Sequence, residues 1–539
     1  MSNIRIYETD ITSRTSEYNP TQNVVYIPGF SCGYVKANIG IGDSVTGKYE
    51  LKDYTYTETT DTVALAGKTY YDAIDESVYN QITFCQTVED LEKVFGTTPY
   101  KFQNNQVNPT KNVTVTRPVY TKVEVVDGET VVTGKYIKQN DSYVEIIEAD
   151  KKAESGVEYF DRTEGSAKED KPTHNIDIKA GDFDKSYIIA KELLNAGVFV
   201  WYDAFKPNGA DSVNDLYTKL PEQLSILEDL NTYNVKFITT GAYESLGAIN
   251  SDSTLVDDSL IKQLLELSCV RNDSVAIIDY KDVGTGAIDI TKIKSVVNKI
   301  NEYPIVTGPN EHIEDSRNYG AIFTPSSVYN VSNLFKGIND TNEIILPGSF
   351  AYLISFAKSA QTNANFLAIA GVTRGLVPYL VKPCTVINGK QAEDLTADSG
   401  IAINPITYIT PYGYCIWGNR TLHNNTYTES GIPKLVASSF LNIRVLTCDI
   451  KKILRNVALK LNFEINSDIL WLNFKSRVEK QLDRIIANNG IEKYKLSQIK
   501  TDERGKIKVK LTIWCLYAVE KWDMELELTD SYVSVNSIQ

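Results

Sequence analysis

The stretch Phe183-Asp-Lys-Ser-Tyr-Ile-Ile-Ala-Lys-Glu-Leu-Leu-Asn-Ala196, with Val198-Phe-Val-Trp201 just after it, decides the fold. The first part predicts a helix over 183–196, and the short β-branched and aromatic run after it predicts a buried strand. The alternation recurs downstream. Helix 213–230 precedes Val235–Ile238, and helix 257–268 precedes Val275–Ile278. A helix over 290–302, the run Ala321-Ile-Phe323 and a helix over 349–360 follow. Short continuous apolar runs alternating with helices are the pattern of a mostly parallel sheet covered on both faces.

Toward the N-terminus the pattern loosens. Residues 1–22 are polar apart from Ile4-Arg5-Ile6-Tyr7, which reads as an extended arm carrying one short strand. The first helix expected is 86–96, closed by Gly96 at the position where glycine commonly ends a helix. From 101 to 176 apolar and polar residues alternate, with Asp127-Gly128 as a hairpin signal and a charged stretch, Asp161 to Lys171, at the end. That is a β module inserted into the larger domain.

Toward the C-terminus the period changes again. Ile443, Leu446, Ile450, Ile453, Val457 and Leu461 fall at spacings of three and four within 436–461, an amphipathic helix. A second helix, 468–487, carries Phe474, Val478, Leu482 and Ile485 on one face and is closed by Gly490. Ile507, Val509, Leu511, Ile513, Cys515, Tyr517 and Val519 then alternate as one long strand. Trp522, Met524, Leu526 and Leu528 alternate with Asp523, Glu525 and Glu527. The chain therefore reads as α+β and α/β, multidomain. It has a discontinuous central α/β domain (23–100 with 177–400), the inserted module 101–176, a C-terminal α+β domain (401–520) and arms 1–22 and 521–539.

Composition narrows the function. The formal net charge of −14 argues against a protein that coats nucleic acid. Only His174, His312 and His423 are present, which removes much of the usual metal-ligand and general-base repertoire. The seven cysteines form no C-x-x-C pair and sit singly in apolar settings, as buried thiols of a cytosolically made protein do. The first residues lack an apolar signal segment, and no run is long enough to insert in a membrane. Gly42-Asp-Ser-Val-Thr-Gly47-Lys48 has phosphate-loop spacing, yet Tyr49 stands where a magnesium-binding hydroxyl is needed. Gly284-Thr-Gly286 lacks the rest of a dinucleotide fingerprint. Asp203, Asp279 and Asp282 follow expected parallel strands, where a metal-dependent enzyme would gather carboxylates. Aspartate is also common there as a cap. No catalytic, metal or cofactor residue is assigned, and a cytosolic α/β enzyme built on those aspartates is the alternative.

Gly400-Ile-Ala-Ile-Asn404-Pro405-Ile-Thr-Tyr408, with Gly413-Tyr-Cys-Ile-Trp417-Gly418-Asn-Arg420-Thr421-Leu422, resembles the most recognisable stretch of contractile phage tail sheath proteins. Leu441-Asn-Ile-Arg444, then Phe463-Glu464 with Asn466 and Trp471, then a strand and a short acidic-apolar strand, follow in the order of that family. The likeness spans roughly 140 residues. Ile465 stands where the family usually has proline. Weaker echoes lie in Val25–Phe30, Glu89–Gly96 and Arg271–Asp279.

The resemblance implies a structural subunit rather than an enzyme, with no cofactor. Such subunits stack as hexameric rings into a helical sheath around a tail tube, between baseplate and tail terminator proteins. They assemble in the host cytoplasm and contract to drive the tube through the host envelope for genome ejection, without binding nucleic acid or inserting in the membrane. In the family the C-terminal domain forms the inner layer, inserted domains face outward, which makes 101–176 an outer module, and terminal arms add strands to neighbouring subunits. Ile4–Tyr7 and Trp522–Leu528 are then the arm strands, and Ile507, Val509, Leu511 and Ile513 the edge that accepts them. Residues 436–539 hold 17 Lys+Arg and 13 Asp+Glu, net +4, against −18 for the rest. Arg444, Lys451, Lys452 and Arg455 lie opposite the apolar stripe of their helix, so they are the expected tube-facing residues, meeting an acidic tube.

Overall fold

The computed structural model describes residues 21–108, 110–129, 133–139, 142–148, 151–172, 176–243, 259–280, 306–307, 313–396, 402–423, 426–429, 432–499, 501 and 505–520. Among them an eight-stranded sheet organises the chain. Its order runs Gly413–Ile416, Ile403–Ile409, Gly320–Thr324, Val275–Asp279, Phe237–Ile238, Val24–Phe30, Phe199–Phe205, Ile82–Cys85. The six inner strands are parallel and the two edge strands run against their neighbours.

Period-two alternation gives each inner strand two apolar faces. Val25 and Ile27 look into one core with helices Lys185–Asn195 and Gly348–Ala360. Tyr26 and Phe30 look into the other with helices Ser212–Ile226 and Ser259–Arg271. Both faces are therefore covered, which is why these strands read as continuous apolar runs. Asp184 caps the first of those helices by accepting from Ser186 N–H at 2.9 Å. Its other oxygen accepts from Phe30 N–H at 2.8 Å and from the Tyr202 hydroxyl at 3.0 Å, tying the cap to two strands. The short helix is Val88–Phe95, with a Thr87/Asp90 capping box and Gly96 at φ 94°.

Three features differ from the sequence expectation. Strands Ile403–Ile409 and Gly413–Ile416 belong to the central sheet, so that sheet does not stop at 400. The long terminal strand is shorter than its alternation, Lys508–Cys515, and Tyr517 and Val519 lie beyond it. In the inserted module, Asp127-Gly128 does form a turn, with Gly128 at φ 82°. Yet the strand before it, Thr110–Val123, pairs with the distant Tyr159–Pro172 over 14 residues each. The charged stretch Asp161–Lys171 is thus strand, because a ribbon can expose both faces to water. A hairpin, Tyr136–Gln139 with Ser142–Glu145, joins at one end.

A further four-stranded antiparallel sheet takes up Tyr34–Lys36, Tyr49–Lys52, Thr55–Glu58 and Tyr71–Ala73. It contains the phosphate-loop look-alike: Gly42 and Gly47 have positive φ, strand Tyr49–Lys52 follows instead of a helix, and Lys48 pairs with Asp72. Helices Leu441–Leu459 and Asp468–Ala487 lie against an antiparallel hairpin, Ile491–Ile499 with Lys508–Cys515. Leu446, Ile450, Ile453 and Val457 form a separate core there with Val478, Leu482, Ile485, Ile491 and Leu496. Leu441, Val445 and Cys448 of the same helix enter the central core, so one helix joins the two. No helix among the described residues is long and apolar enough to cross a membrane.

Candidate assembly surface

The motif turn is built around Asn404, fully buried on its strand. Its amide nitrogen donates to Ile322 O at 3.0 Å and to Arg420 O at 2.9 Å, while its oxygen accepts from Arg420 N–H at 2.7 Å. One side chain thereby fastens the turn to the central sheet. A Cβ on Gly418 would sit 2.9 Å from Asn404 Oδ1 and 3.0 Å from its Cα, so this close approach needs glycine. Pro405 O accepts from Trp417 N–H at 2.8 Å. Thr421 binds Ser438 O through its hydroxyl at 2.7 Å and Ser439 O through its N–H at 3.0 Å. Leu422 N–H donates to Gly320 O at 2.9 Å, and its side chain is buried. These motif residues hold the turn.

The four cations expected to face a tube are turned inward. Arg444 is buried with its guanidinium 4.5 Å from the Tyr319 ring centroid. Lys451 donates to the Tyr319 hydroxyl at 2.8 Å and to Asn272. Lys452 donates to Val235 O at 2.8 Å and Asn234 Oδ1 at 2.9 Å, and burial pushes its ammonium down to about 8. Arg455 reaches Leu230 O and Asn231 Oδ1, each at 2.7 Å. Asp449 adds an ion pair with Lys236 at 2.8 Å. This face is the seam between the helix and the starts of the central strands. Its charges meet carbonyls and side-chain amides there, a destination that a helical projection of the sequence does not show.

The outward face lies on the other helix. Phe463 is 98% exposed at φ 70°, Ile465 85%, Ile469 70% and Leu472 59%, all at the turn between the two helices and the start of the second. Arg477, Lys480 and Arg484 continue that face, and among the described residues none of them stands in an ion pair. Sequence reading passed over this strip because the charges of the first helix are denser.

Val509, Leu511 and Ile513 pack on the C-terminal core, and Ile507 lies just before their strand. Among the described residues the hairpin has two strands only, so each carries an outer edge with no ladder partner. The expected arm strands, Ile4, Arg5, Ile6, Tyr7, Trp522, Met524, Leu526 and Leu528, lie outside the described residues, as do Asp282, His174 and His312.

Asp279 ends its parallel strand, while Asp203 lies inside Phe199–Phe205, two residues before the end. Two strands lie between theirs, which puts them roughly 14 Å apart at the ordinary strand spacing, too far to share an ion. Each has its own structural partner. Asp203 accepts from the Tyr26 hydroxyl at 2.9 Å, and Asp279 accepts from Ser349 N–H and from its hydroxyl at 2.8 Å, capping helix Gly348–Ala360. Burial pushes each up to about 7. No cluster of three metal-capable side chains occurs among the described residues.

No family model matches the chain, and no curated protein matches it in sequence. Solved structures similar to it include the following two. One is a chain of the sheath complex of an extracellular contractile injection system, PVC, in its contracted state, with 15% identity, TM-score 0.44, and 64% of this chain and 82% of that one covered. The other is a chain of the six-fold symmetrised baseplate of the anti-feeding prophage, AFP, with 11% identity, TM-score 0.44, and 66% and 83% covered.

Proposed function

We propose that this chain is a structural subunit of a contractile tail sheath, polymerising in stacked hexameric rings around a tail tube. The observation that carries the reading is the ordered run from Asn404 to Glu520: motif turn, joining helix, second helix, open-edged hairpin. Its elements follow in the order that the sequence resemblance implies up to Glu520, and Asn404, Gly418, Arg420 and Thr421 hold the turn. Contraction needs no cofactor in this reading, because energy resides in the difference between two packings of the same subunits.

The open hairpin edges support strand addition by an arm, since an unpaired edge is a template for a further strand. Lys493, Lys495, Lys508 and Lys510 on the hairpin complement Asp523, Glu525 and Glu527 of the terminal stretch. With the cations of the first helix engaged at the seam, the tube-docking face becomes the apolar tip at Phe463–Leu472 and the strip Arg477, Lys480 and Arg484. Baseplate and terminator contacts at the two ends, a place in the tail and envelope penetration follow from the same reading.

Electron microscopy of the purified protein tests it: tubes or stacked rings are expected. A uniformly monomeric protein across salt and concentration would overturn the reading. Deleting 521–539 is expected to abolish tubes while leaving a folded monomer by circular dichroism; unchanged tubes would reject the arm.

A further inference from the structure

Arg420 does more than close the motif turn. Its guanidinium forms a two-point ion pair with Glu520, Nη1 to Oε1 at 2.5 Å and Nη2 to Oε2 at 2.6 Å, across 100 positions of sequence. The Arg420 side chain is 7% exposed and that of Glu520 34%. The guanidinium lies 4.6 Å from the Phe440 ring centroid, and Tyr517 meets the same ring edge-on at 5.2 Å. Arg420 itself cannot drift, because Asn404 binds its N–H and its carbonyl and the backbone bridges to Phe440. Strand Lys508–Cys515 has already ended five residues earlier. The chain at 516–520 has therefore left the hairpin and is held by the motif turn, which is riveted to the central sheet.

We infer that Arg420 is a positioning residue: through Glu520 it sets the point and direction in which the C-terminal segment leaves the subunit. Where that segment goes rests on the sheath reading above; that it is held at its root does not. A forked guanidinium matched to a carboxylate fixes direction as well as distance, which an ammonium does not. Stacking on Phe440 and the Tyr517 contact make the mount stiff, so a pull on the segment would reach the central sheet rather than the hairpin.

The test uses the full chain with E520Q and R420K variants. Trypsin cleavage after Lys521 in dilute monomer, read by release of the terminal peptide, reports how often the root opens. We expect cleavage about tenfold faster in both variants, as loss of a charge-assisted pair implies, with circular dichroism unchanged. If R420K misfolds because its site is buried, E520Q at the half-exposed partner still decides. Equal cleavage in wild type and E520Q overturns the anchor. Faster cleavage with fewer or disordered E520Q tubes supports both anchor and direction. Faster cleavage with tubes identical to wild type overturns the directional role. Faster cleavage with no tubes from any form upholds the anchor and rejects the sheath reading instead.

Discussion

Asn404 shows how much one side chain decides. Its amide binds two carbonyls and one N–H from a fully buried position. Asn404→Asp keeps the shape and loses both donors, and should cost about 3 kcal/mol or more in chemical unfolding, the scale for stranding buried polar groups. Gly418→Ala should also destabilise, by about 1–3 kcal/mol, because its methyl group meets the Asn404 side chain and backbone. The buried aspartates predict a pH trend. Asp203 and Asp279 bind a proton more tightly folded than unfolded, so the stability they contribute is fully present below the unfolded range near 4 and is lost as pH rises toward 7. Asp203→Asn should flatten that fall, which thermal unfolding at pH 5, 6, 7 and 8 would read. Each unit in the window is worth at most about 1.4 kcal/mol. A wild-type curve as flat as the variant's would reject the raised carboxyl.

At the scale of elements, the two C-terminal helices differ in where their cations go. The first has the denser cations, yet Lys451, Lys452 and Arg455 end on Asn272, Asn234, Val235, Leu230 and Asn231. The second keeps Arg477, Lys480 and Arg484 outward. Reversing those three to Glu should leave the monomer folded and empty sheath able to form, while blocking assembly on an acidic tube. Co-sedimentation with tubes would show this, and normal tube decoration by the triple variant would reject the face. Reversing Lys451, Lys452 and Arg455 should instead lower thermal stability, since Lys452 is buried and the half-buried Lys451 and Arg455 are bonded in the seam. Helix existence and strand sites were legible because their periods are long and regular: helix 468–487 and strands near 198–201, 275–278 and 321–323 stand where the pattern puts them. Partners were not legible, because period-two alternation says that a strand has two faces and not which strand lies beside it. That is why Asp161–Lys171 reads from sequence as a charged boundary and not as part of strand Tyr159–Pro172.

At the scale of the molecule, charge is split between an acidic majority and a mildly basic C-terminal part. If assembly joins the two, it should weaken as salt rises through the range where the screening length falls below about 10 Å. Light scattering against ionic strength would show this, and salt-independent assembly would assign the association to apolar contact at Phe463, Ile465, Ile469 and Leu472.

The sequence by itself determined the alternation of buried strands and helices, the two C-terminal helices, the motif turn and the charge split, because periodicity and composition are local properties of the chain. Tertiary structure alone decided that strands 403–409 and 413–416 complete the central sheet and that the basic helix face is a seam. It also decided that Asp203 and Asp279 stand apart, and that Arg420 meets Glu520. Each of these depends on which distant segments share a space, and a one-dimensional pattern carries no record of what a side chain will find across it.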